Sequence, residues 1–310
     1  MTQRGWLLFA AMGLIWGIPY LLIKVAVAEI TPATLVFART AIGSLLLLPI
    51  AMGRGGIAPL APRWRWLLAY TAIEIAIPWF LLSDAERHVS SSLAGLLLAA
   101  VPIVGAFLAW VTGGDDRPDA RRVFGLLLGL AGVATLVGVD VAGDDLGAVA
   151  EVAIVAVCYA IGPMIIARRL SGVPSVGVVA ASLALTALAY LPAAVVQLPP
   201  TAPSPAGLAS IAILGVVCTA LGFVVFFSLI AEVGPARATV ITYVNPAVAL
   251  ALGVALLHEP LTVGIGIGFV LVLAGSFLAT RRSRAATAAQ AGRSETIVPL
   301  LRSRSTNRPD

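Results

Sequence analysis

Three ionisable side chains stand inside apolar runs of this 310-residue chain. Lys24 and Arg39 lie in LLIKVAVAEITPATLVFARTAIG (21 to 43), and Glu74 lies in YTAIEIAIPWF (70 to 80). A cation in such surroundings can hold an anion, close a gate or reach out to lipid headgroups, and a carboxylate there can carry a proton or pair with a cation. Arg39 and Glu74 are close enough in depth for such a pairing, which would hold Glu74 ionised; a quiet hydrogen bond to a neighbouring helix is the remaining reading of the acid. Lys24 reads as a snorkelling anchor or as part of an anion site or gate. Arg39 reads as substrate or gate chemistry, or as a contact to helix-end carbonyls. Trp16, Tyr20, Trp79, Tyr159, Phe223 and Tyr243 are candidates to line a cavity, with packing as the alternative. Asn245 precedes Pro246 as Val101 precedes Pro102, and a proline inside a span frees a carbonyl, so Pro102 and Pro246 are expected helix kinks.

Those residues need elements to hold them, and composition names the solvent of the elements. The chain is 60% hydrophobic and 11% charged, with mean hydropathy +1.01, so a water-soluble globule is excluded and the lipid bilayer is the expected partner. The net charge of +5 falls in short loops and a tail instead of forming an aromatic-laced basic face, which argues against nucleic acid. Cys158 and Cys218 sit in apolar runs with neither disulfide-framework nor zinc spacing. No cofactor or metal is expected. Signatures such as G-x-S-x-G, H-E-x-x-H or a P-loop are lacking, so the sequence does not read as an enzyme, and a membrane-embedded enzyme or a non-transporting helical scaffold stands as the alternative to a transporter.

A span needs about 20 apolar residues. Ten segments qualify: 6–28, 33–52, 65–84, 91–112, 122–140, 147–167, 174–196, 207–231, 236–257 and 262–280. The first is too long for a signal-peptide core and reads as an uncleaved span. With the N-terminus inside, every Lys and Arg except Lys24, Arg39 and Arg87 falls on the cytoplasmic side, so both termini are expected there. Lys24 then lies about 27 Å along the first helix and Arg39 about 9 Å below the outer surface. Glu74 is about 12 Å into its span, close to the midplane. The tail from Arg281 to Asp310 is arginine-rich and apolar-poor, and reads as a disordered basic segment drawn to anionic headgroups.

Writing FLLSDAERHVSSSLAGLLLAAVPIVGAFLAW (80 to 110) above VVFFSLIAEVGPARATVITYVNPAVALALGV (224 to 254) aligns Val89 with Val233, Ala94 with Ala238 and Pro102 with Pro246, at an offset of 144 residues. Five spans per unit is an odd number, so the second unit enters the membrane upside down. The expected fold is an all-α membrane protein of ten transmembrane helices in two inverted five-helix repeats (1–144 and 145–282), with the tail at 283–310. Substrate would sit between the halves near the midplane. Gly125–Gly129 and Gly264–Gly268 have small-xxx-small spacing for close helix packing, within the chain or in a homodimer. His88 and His258 read as interface residues.

The segments LIWGIPYLLIK (14 to 24), TPATLVFAR (31 to 39), AERHVSSSLAGLLLAAVP (85 to 102) and VITYVNPAVALALGVALLHEPLTVGIGIG (240 to 268) together resemble the drug/metabolite transporter superfamily, in particular its EamA-like ten-helix exporters, over residues 5 to 282. That resemblance implies a multipass transporter of the bacterial cell membrane that exports a small metabolite, amino acid or drug-like compound, with protons as a possible coupling ion. The loop after the ninth span, LLHEPLT, keeps the family-like Glu259, whereas its repeat mate reads GGDDRPDARR.

Overall fold

The computed structural model describes residues 2–112, 120–140 and 145–280. Among them it contains ten helical spans, α1 (Gln3–Val27), α2 (Pro32–Gly53), α3 (Ala58–His88), α4 (Ser91–Leu108), α5 (Ala120–Gly138), α6 (Leu146–Arg169), α7 (Ser175–Val196), α8 (Pro205–Val233), α9 (Val240–Leu257) and α10 (Val263–Thr280). Their outward side chains are apolar: Leu45, Leu127, Val196 and Val270 are each more than half exposed. That surface suits acyl chains and no other solvent. The predicted tail lies outside the described residues.

Contacts between helix ends fix which ends lie together. Arg63 Nη1 donates to Ser171 O (2.7 Å) and Thr2 Oγ1 to Glu232 (2.6 Å) at a basic end of the bundle. At the opposite, acidic end, Ser204 bonds Glu29 (2.5 Å) and Ser91 N bonds Glu259 (2.7 Å).

Irregularities recur at the same offset as the sequence pattern. α3 carries a π-helical stretch at Thr71–Ala76 and α8 one at Leu214–Leu221. Such a stretch redirects carbonyls and hydroxyls out of the ordinary ladder. Tyr190 Oη donates to Ala76 O (3.0 Å) in the first, and Thr219 Oγ1 donates five residues back to Leu214 O (2.8 Å) in the second. α4 breaks at Ala99–Ala100, just ahead of Pro102, and Ser276 Oγ donates to the Ala99 carbonyl (2.8 Å). α9 begins irregularly in a 3₁₀ stretch at Thr239–Tyr243, ahead of Pro246. Both prolines thus stand at the first turn of a resumed helix, where a missing amide costs least.

Helices α5 and α10 lie against one another, as do α2 and α7. The glycine spacing serves the first pair: a Cβ on Gly132 would meet the Val272 backbone (2.7 Å), and one on Gly125 would meet the Ala279 backbone (2.5 Å). These glycines act within one chain, as close-packing small residues do.

Candidate functional site

The centre of the site is Arg39. Its helix starts at Pro32 behind an N-cap in which Thr31 Oγ1 accepts from Thr34 N (3.3 Å), and Arg39 follows two turns later on the buried face with Val36, Thr40 and Gly43. The side chain is only 8% exposed. Its guanidinium carbon stacks 3.7 Å from the centroid of the Trp79 ring, and Nε donates to Thr219 Oγ1 (2.9 Å). That hydroxyl passes the bond on to Leu214 O through the π stretch of α8. The expected pairing with Glu74 does not form: no carboxylate lies within ion-pair distance of Arg39 among the described residues. The stacked ring and the relayed carbonyl take the carboxylate's place, because the α8 π stretch turns Thr219 toward α2.

Glu74 lies instead against the backbone of α6. A Cβ on Gly162 would run into its carboxylate, so only glycine leaves room there. Its Oε2 is buried with no hydrogen-bond partner, and Tyr70 and Tyr159 are within electrostatic reach.

Lys24 does not snorkel. Nζ donates to Glu86 O (2.6 Å) and Val89 O (2.8 Å), capping the end of α3. Carbonyls at a helix C-terminus have no partners within the helix, and a cation satisfies both them and the negative dipole end. The helix-end contact considered for Arg39 therefore belongs to Lys24.

Glu86, not singled out from the sequence, is fully buried, and neither of its carboxylate oxygens has a hydrogen-bond partner. It is within electrostatic reach of Lys24, Arg39 and Glu259. The third span expected from hydropathy stops at residue 84, which puts Glu86 in a loop, whereas α3 continues to His88. The signal that could have found it is spacing: Trp79, Ser83 and Glu86 recur on one helix face.

The candidate cavity residues divide into two groups. Tyr20 and Tyr159 are within electrostatic reach of Arg39 and join Trp79, Thr219 and Glu86 in one polar-aromatic cluster. Trp16 and Phe223 pack edge to face, with centroids 5.9 Å apart, and Phe226 lies 4.6 Å from Trp16, forming an aromatic patch between α1 and α8. Phe223 also packs against the Trp79 core, so the two groups are continuous. Tyr243 stands apart, its hydroxyl bonded to Thr280 Oγ1 (2.7 Å) and Ser276 O (3.2 Å). Asn245 keeps a buried Oδ1 without a partner, and its backbone carbonyl lies against Gly17 of α1.

At the acidic end, His258 in a left-handed turn (φ 55°) closes α9 and reverses the chain, so that Glu259 reaches back to α4. There the carboxylate accepts from Ser91 N (2.7 Å), Ser92 N (2.9 Å) and Ser92 Oγ.

Comparison with known proteins adds a family match, and relatives and solved structures among which are the following. The profile of the EamA-like transporter family matches residues 3–138 and again 147–281. The uncharacterized transporter YvbV of Bacillus subtilis is 27% identical over 301 residues, covering 94% of this chain and 96% of its own. The uncharacterized inner membrane transporter YedA of Escherichia coli K12 is 27% identical over 279 residues, covering 86% of this chain and 90% of its own. A crystal structure 20% identical in sequence has a TM-score of 0.64, over 90% of this chain and 97% of that one, a likeness of fold alone.

Proposed function

The chain belongs to the EamA-like transporter family and is a multi-pass membrane transporter, and from that premise we propose that it exports a small metabolite, amino acid or drug-like compound from the bacterial cell by alternating access. Two inverted five-span halves would rock about the Arg39 cluster, with both termini cytoplasmic. The arginine asymmetry of the loops and the recurrence of π stretches and prolines 144 residues apart support that arrangement.

The observation that carries the reading is the buried Arg39, held by a ring face and one hydroxyl instead of by a carboxylate. Only its Nε is in a hydrogen bond among the described residues, so the Nη donors are available to an anionic group on the substrate, with Tyr20, Trp79 and Tyr159 as walls. A buried guanidinium with no carboxylate beside it is costly to keep unless a ligand uses it. Glu74 and Glu86, whose buried oxygens lack partners, are the candidate proton carriers.

The test is transport in proteoliposomes, with the substrate found by comparing metabolites in the medium of deletion and overexpression cells. Arg39→Ala should abolish uptake while the protein stays folded. Glu74→Gln or Glu86→Gln should remove accumulation driven by an imposed pH gradient and spare counterflow exchange. A well-folded Arg39→Ala that transports normally would reduce the residue to packing, and gradient-driven accumulation in both acid variants would remove proton carriage from these sites.

A further inference from the structure

Helix α6 ends at Arg168 and Arg169, at the basic end of the bundle, and neither is in an ion pair among the described residues. The Arg169 guanidinium lies 4.5 Å from the centroid of the Trp66 ring on α3. Beside them a groove of about 340 Å³ runs between α3, α4 and α6, lined by Trp66, Leu108, Met164 and Ile165 together with both arginines. We propose that this groove is a binding site for one anionic phospholipid, its acyl chain against the apolar wall and its phosphate on Arg168 and Arg169.

The position decides the ligand class. The groove lies at the ends of three spans, where the bilayer changes from hydrocarbon to headgroups, and Trp66 is 40% exposed there as an interfacial ring. A soluble anion would satisfy the arginines and leave the Leu108–Met164–Ile165 wall against water. A purely apolar molecule would fill the wall and leave two cations without counter-charge. A phospholipid carrying net negative charge satisfies both. A zwitterionic headgroup would bring an ammonium toward two guanidiniums and is disfavoured. The site is separate from the Arg39 cluster: Ile161 and Ile165 of α6 line the groove, whereas Tyr159 of the same helix is the residue within reach of Arg39.

Native mass spectrometry of the full-length protein tests the proposal, with phosphatidylglycerol, phosphatidylcholine and inorganic phosphate added in separate arms. The wild-type protein should retain one phosphatidylglycerol, roughly tenfold or more over phosphatidylcholine, the ratio two arginines near an anionic headgroup supply. Arg168→Gln with Arg169→Gln keeps the groove and removes the charge; Leu108→Trp keeps the charge and fills the groove. Both should lose the retained lipid, while replacing Arg281, Arg282 and Arg284 by Gln should not. Equal retention of the two lipids, displacement of the lipid by phosphate, retention by either groove variant, or loss on changing the tail alone would each overturn it.

Discussion

The start of α4 and the Pro235–Ala238 turn leading into α9, 144 residues further on, stand at opposite ends of the bundle and are held differently. At the first, Ser90 Oγ accepts from Leu93 N (3.1 Å), Glu259 accepts from Ser91 and Ser92, and every residue from Ser91 to Leu98 is buried. At the second, Gly234 turns at φ 82°, Pro235 has no amide hydrogen to offer, and the nearby Glu232 is engaged by Thr2 and Arg4 (3.9 Å to Arg4 Nε). A helix start has unpaired amides and a positive dipole end. Where another span supplies the carboxylate, the start becomes a joint between spans. Where proline and glycine stand instead, no carboxylate from another span is bonded to the start among the described residues. The acidic end is the clasped one, and motion that opens it must first break the Glu259 bonds.

The largest expected effect follows from removing that carboxylate. In a background lacking Cys158 and Cys218, a cysteine at Leu93, now 3% exposed, should react with a thiol reagent roughly tenfold or more faster when Glu259 is changed to Ala. Hydrogen bonds to a charged group are each worth about 1.5–3 kcal/mol, and about 1.4 kcal/mol already gives a factor of ten. Unchanged reactivity would mean that packing, not the clasp, closes this end.

A gentler break comes from Gly253, one turn before the α9 terminus. A Cβ there would press on Glu259 Oε2 and Ser92 Oγ at once. Gly253→Ala should cost about 1–3 kcal/mol of stability, the usual range for overpacking, and raise Leu93-site reactivity less than Glu259→Ala does. A thermal melt indistinguishable from wild type would show that the joint yields without loss.

The ten spans were legible in the sequence because an apolar run of about 18 residues or more matches the thickness of a bilayer and exceeds what a strand or a short core helix needs. Residues whose role depends on one helix facing another were less legible. Lys24 could be placed near an interface, but only the packed α3 end gives it two carbonyls to hold. Arg39 and Glu74 could be paired on depth alone, yet the π stretch in α8 brings Thr219 to Arg39, while Gly162 lets Glu74 lie against α6. Glu86 was lost to a boundary: the final turn of α3, Ala85-Glu-Arg-His88, carries charges that lower its hydropathy, although it is helical. The Glu259 clasp joins residues 167 and 168 positions apart and has no local signature beyond the turn that aims it.

A smaller effect tests the other member of the pair. Pro235→Ala gives the basic-end helix start its missing amide without supplying an acceptor, since Glu232 is engaged by Thr2 and Arg4. The change should stay within about 0.5 kcal/mol, because an amide without an acceptor at a helix start adds no bond. A stabilisation as large as the loss in Glu259→Ala would show that the proline alone causes the difference between the two ends.

The smallest expected effect concerns a second carboxylate at the acidic end. Glu29, between α1 and α2, accepts from the Ser204 hydroxyl and amide (both 2.5 Å) just ahead of α8, much as Glu259 clasps α4, but it does so in full exposure to solvent. The Ser204 hydroxyl first, and its amide second, hold the Glu29 pKa below its ordinary 4.5. Because the folded value is the lower one, the contact contributes stability above pH 4.5 and loses it as the pH falls through the folded value. Solvent screening keeps the contribution small. The melting temperature of wild type minus that of Glu29→Gln should therefore be slightly positive at neutral pH and shrink toward zero below pH 4.5, a subtraction that removes the titration of every other carboxylate. A difference that stays constant through that window would show that shape, not charge, joins Glu29 to α8, leaving Glu259 as the one electrostatic clasp among the described helix starts of this end.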